Sequence, residues 1–131
     1  ALEEVTCSCD GCRNYMLAIE SFPQEVKGFF KKLGVDAKKA TELIPWNAED
    51  NGRAVHYGGF YHLCGKFITG DDCWQQSGEL RINGLYPITE GYFVGFTNRI
   101  SLPEENLPAP ALQMEIDFHA VPWKLEKDNT Y

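Results

Sequence analysis

Between Ala48 and Gly52 the chain turns polar, and after this point its hydrophobic pattern changes period from the three-to-four spacing of helices to the alternation of strands. A chain written this way keeps its helices at one end and joins its strands by turns, not by crossover helices. Successive strands joined by turns run antiparallel. The expected fold is therefore α+β: an N-terminal layer of three short helices packed on one face of a mostly antiparallel β-sheet, in a single domain spanning residues 1–131.

The helical third is punctuated by capping residues, prolines and a glycine. Asp10 is placed to cap a first helix whose apolar residues Tyr15, Ala18, Ile19 and Phe22 share one face and which ends before Pro23. Ser21 to Gln24 then reads as a capping-box start. The second helix carries the stripe Val26, Phe29, Phe30 and Leu33 and stops at Gly34. Asp36 opens a third helix through Ala37, Ala40, Leu43 and Ile44, closed by Pro45. After Glu49 to Gly52, strands are predicted over Arg53 to Ile68, Glu79 to Leu85, Gly91 to Ser101 and Leu112 to Val121, with Leu2 to Cys7 as a fifth. Pro103, Pro108 and Pro110 mark the loop before the last strand.

The five cysteines stand at 7, 9, 12, 64 and 73, an odd number with three crowded into six residues. That is not the arrangement of a secreted disulfide framework, so reduced thiols are expected. Thiolates are soft ligands for zinc, and a turn leading into a helix can aim two or three sulfurs at one ion. Cys7, Cys9 and Cys12 supply three ligands, and the fourth comes from Cys64, Cys73, His56 or His62; Cys64 completes an all-cysteine set. A thiol reading competes with the metal. Cys12 in the first helical turn beside Arg13 is placed for a lowered pKa, with Cys9 as a resolving partner, and Cys64 is a second candidate nucleophile.

Alternation over residues 56–64 puts His56, Gly58, Phe60, His62 and Cys64 on one strand face and Tyr57, Tyr61 and Leu63 on the other. In the last strand Glu115, Asp117 and His119 share the polar face, a pattern expected of a solvated sheet surface and open to acid and base work. With helices covering one side of the sheet, a ligand pocket is expected on the other, bordered by His62 and lined by Tyr57, Tyr61, Tyr92 and Phe96. Exposed aromatic surface around Phe60, Tyr61 and Trp74 is the alternative, as a protein-interaction face.

Charge narrows the partners. The net charge of −7 disfavours non-specific attraction to nucleic acid or anionic lipid. Lys27, Lys31, Lys32, Lys38 and Lys39 oppose that average, but on amphipathic helices they read as a solvated face, not as a helix-turn-helix surface. No stretch of about 18 apolar residues is present, and Ala1 to Glu4 lacks the features of a signal peptide. A cytoplasmic location follows as an expectation.

The fragment Cys7 to Arg13 resembles the C-x-C-x-x-C-R turn of glutathione-dependent formaldehyde-activating enzymes, which implies zinc held by several cysteines; that family's other cysteine motif is missing here. More of the chain is similar to small bacterial proteins without an assigned function, through this turn, the Tyr57 to His62 strand and the final Pro122, Trp123. The sequence therefore leads to a binding domain with zinc at the cysteine turn and an unidentified small-molecule or protein partner. A thiol-dependent enzyme or redox protein and a protein-interaction module are the alternatives.

Overall fold

The computed structural model describes residues 7–64, 74–77, 80–83, 85–97 and 111–131, with backbone alone for Cys64, 74–77 and 80–83. Two helices, α1 (Asp10–Ala18) and α2 (Gln24–Leu33), precede seven strands: β1 (Glu42–Glu49), β2 (Ala54–Cys64), β3 (Trp74–Ser77), β4 (Leu80–Asn83), β5 (Tyr86–Thr89), β6 (Tyr92–Thr97) and β7 (Ala111–Pro122). Strands β1, β2, β7, β6 and β5 form one antiparallel sheet in that order, and β3 pairs with β4 separately. The α+β class is as expected.

The helical layer differs from the expectation in one element. Asp36 does cap a turn, accepting from the Lys38 N–H at 3.0 Å, but only a single 3-10 turn, Ala37–Lys39, follows. Leu43, Ile44 and Pro45, expected to end a third helix, lie in β1. Pairing with β2 satisfies more backbone groups than another short helix would, and β1 is an edge strand, where a proline without an N–H is tolerated. The polar stretch after it is the hairpin turn Asp50–Gly52, with Asp50 and Asn51 both at positive φ. The expected strand over Leu2 to Cys7 lies almost wholly outside the described residues, and Cys7 itself is not in a strand.

Helix α2 ends as its glycine predicts. Gly34 is left-handed at φ 68°, its N–H reaching Lys31 and Phe30 carbonyls, and the Val35 N–H closes the turn on Phe30. At its start no side chain caps it, so the expected capping box does not form.

The two stripes meet one face of the sheet. Tyr15, Ala18, Phe22, Val26 and Phe30 bury against Tyr57, Tyr61, Tyr92, Val94, Met114, Ile116 and Phe118. Aromatic rings pack edge to face across this layer, as between Phe30 and Tyr61 at 5.2 Å and Phe22 and Phe118 at 5.7 Å. The tyrosine hydroxyls inside are satisfied: Tyr61 donates to the Ala37 carbonyl at 2.7 Å, which makes Tyr15 the donor in its 2.6 Å bond to Tyr61. No helix among the described residues is long and apolar enough to cross a membrane.

Candidate metal centres

The first site grows from the start of α1. Cys9, not Asp10, is the N-cap: its sulfur accepts the Cys12 N–H at 3.4 Å while Asp10 takes the first helical position. Cys7 approaches from outside the helix, 3.2 Å from Cys9 sulfur to sulfur. Gly11 lets the turn press against its neighbours. A Cβ there would stand 2.5 Å from Pro45 Cγ, and the Gly11 N–H donates to the Tyr131 hydroxyl at 2.8 Å. Asn14 ties the helix down from its buried side, donating to the Pro122 carbonyl and the Tyr57 hydroxyl and accepting from the Lys124 N–H.

All three thiols are free, and their sulfurs lie within 4.8 Å of one another. Two sulfurs on a tetrahedral zinc, each at about 2.3 Å, stand about 3.8 Å apart, so the turn is close to the spacing an ion needs. The thiols are not equivalent. Partial burial works against ionising Cys9, but the Cys12 N–H and hydrogen bonds with Cys7, Cys12 and Tyr131 outweigh it and hold the thiol below its ordinary value. Burial, and then hydrogen bonds to Cys7 and Cys9, push the Cys12 thiol well up. Cys7 also borders an open groove of about 550 Å³ formed with Arg13, Met16, Leu17, Lys38 and Leu125.

Cys64 is not brought to this turn. It ends β2, seven residues beyond the Tyr57 that touches Gly11, about 23 Å along a strand at about 3.3 Å per residue. Cys73 lies outside the described residues. Nor does His62 meet the aromatics expected around it. Tyr57, Tyr61 and Tyr92 are buried in the helix-side core with Phe96 packed against it, whereas His62 points from the other face, its Nε2 3.1 Å from Gln113 Oε1. The period of two in β2 separates them. Phe60 and Tyr61, expected to be exposed, are both buried.

A second group was visible in the sequence only as fragments. His56 in β2 and Asp117 and His119 in β7 come together, their ligand atoms within 4.8 Å of one another. Two strands carried the signal, and only their register and a bulge join them. Glu115 instead accepts from Gln113 at 2.8 Å. Both this group and the three cysteines can hold a metal ion. Compared with protein-family models, curated proteins and solved structures, the chain matches none of them.

Proposed function

We propose that this chain is a metal-binding domain whose cysteine turn takes zinc, with Cys7, Cys9 and Cys12 as thiolate ligands. The observation that carries the reading is the convergence of three sulfurs at a helix N-terminus, one of them already accepting a backbone N–H. The positive end of the helix dipole and that N–H both favour accumulated thiolate charge. No fourth histidine, cysteine or carboxylate joins the group among the described residues, which leaves a coordination position for water or a partner's ligand. Free thiols suit a reducing compartment such as the cytoplasm.

Cobalt titration of the reduced protein tests this directly. Thiolate ligation gives an intense sulfur-to-cobalt charge-transfer absorption that histidine and carboxylate ligands do not produce, and it should weaken in Cys9→Ser and disappear when Cys7, Cys9 and Cys12 are all replaced by serine. Cobalt bound without that absorption, or zinc near zero by mass spectrometry in protein purified under reducing conditions, would overturn the reading. A thiol-dependent reaction is the second reading, and the depressed Cys9 thiol favours Cys9 over Cys12 as its nucleophile.

A further inference from the structure

Opposite the helices, β2 and β7 fall out of step at one place. Val55 pairs with Val121 and Tyr57 with Phe118, so His56 alone faces His119 and Ala120. The bulge puts Ala120 at φ 56° and turns both imidazoles the same way, stacked with centroids 3.9 Å apart and planes 17° from parallel. Asp117, paired with Gly58, places its carboxylate before both rings. Oδ1 is hydrogen-bonded to His56 Nε2, and Oδ2 is 3.5 Å from His119 Nε2.

Glu49 fixes the far side of the His119 ring. Its Oε1 accepts the Ala120 N–H at 2.7 Å and its Oε2 lies 3.1 Å from His119 Nδ1. Despite partial burial, the Ala120 N–H and His119 lower the Glu49 pKa. The Nδ1 atom of His119 is thus engaged behind the ring by Glu49, and its Nε2 is the atom that faces Asp117. One ligand atom from each of His56, Asp117 and His119 lies within 4.8 Å of the others.

We infer that His56, Asp117 and His119 bind a divalent first-row transition ion through two imidazole nitrogens and one carboxylate. Such a mixed nitrogen and oxygen set suits zinc or iron(II) more than calcium or magnesium. Glu49 holds His119 from behind, as carboxylates hold metal-binding histidines generally. The side chains of His56, Asp117 and His119 are 21%, 34% and 37% exposed, enough for an ion to enter and for water to complete its coordination. Trp46, stacked over Gly58 beside Asp117, and Phe93, edge-on to His119, give the opening apolar sides. This site is independent of the cysteine turn.

Imidazole NMR of the reduced, full-length chain during zinc titration tests the inference without any variant. The chain has three histidines, so His62 serves as the internal control. The signals of His56 and His119 should move together with one equivalent of zinc while His62 stays still. Glu49→Gln should weaken that equivalent roughly 10- to 100-fold and leave the cobalt–thiolate absorption intact. Imidazole signals of His56 and His119 that remain fixed at saturating zinc would overturn the site whatever the cysteines bind. Movement of both without any thiolate absorption would uphold it and defeat the cysteine reading alone.

Discussion

Gly11 shows how one missing methyl group holds a site together. Its backbone is pinned by the Tyr131 hydroxyl, the Tyr57 hydroxyl and the Pro45 ring. Gly11→Ala forces a Cβ within 3 Å of ring carbons that cannot swing away, so it should cost about 1–3 kcal/mol in urea unfolding. Unchanged stability would mean that the contact is loose. The neighbouring cysteines should separate in reactivity. In metal-free protein Cys9 should be alkylated fastest near neutral pH, because its thiolate forms below the ordinary thiol value, whereas buried Cys12 should stay unmodified until the chain unfolds. Mass mapping of alkylated peptides against pH reads both. The sequence showed the crowding of Cys7, Cys9 and Cys12 but assigned the cap to Asp10 and the lowered thiol to Cys12. Capping preferences place Asp among the best N-caps, and they do not register that a sulfur at Cys9 can take the Cys12 N–H.

At the scale of elements, α1 depends on Asn14, whose amide joins helix, β2 and the segment after β7. Asn14→Ala strands the Lys124 N–H and the Pro122 carbonyl and should cost about 1–3 kcal/mol. The bulge in β7 makes a second prediction, on pH. Because the folded-state pKa of Glu49 is lowered, its contribution to stability is complete above the ordinary carboxyl range, about 4.3, and is lost as pH falls through the lower folded value. Glu49→Gln should remove that part of the acid dependence, and an unchanged slope of stability against pH would contradict it. Most elements were legible: the stripes of α1 and α2, the Gly34 stop, and strands β2, β6 and β7 follow from period and punctuation. β1 was not, because Ala37, Ala40, Leu43 and Ile44 satisfy a helical spacing and only pairing with β2 overrules it. The grouping of His56, Asp117 and His119 was out of reach for a related reason. Each strand announces its polar face, but strand register is a property of the pair. The pocket expected around His62 failed on the same alternation that the sequence displays, since Tyr57 and Tyr61 cannot share its face.

For the whole molecule, bound metal acts as a ligand of the folded state alone, so it should raise the unfolding midpoint by mass action. Chelation should lower Tm and added zinc restore it; a Tm indifferent to both would show that neither site contributes to stability. The cysteine turn also has a consequence for the order in which the chain can organise. Its fastening contacts come from Lys124 and Tyr131, 110 and 120 positions after their partners in α1. Contacts of such separation form late, after the intervening chain has been ordered. The thiols nearest the beginning of the sequence therefore leave the ribosome long before the residues that hold them in place. Through that interval the three sulfurs lack the contacts that Asn14 and Gly11 make with Lys124 and Tyr131, so any ion that needs the finished geometry would bind only after the last residues are in place.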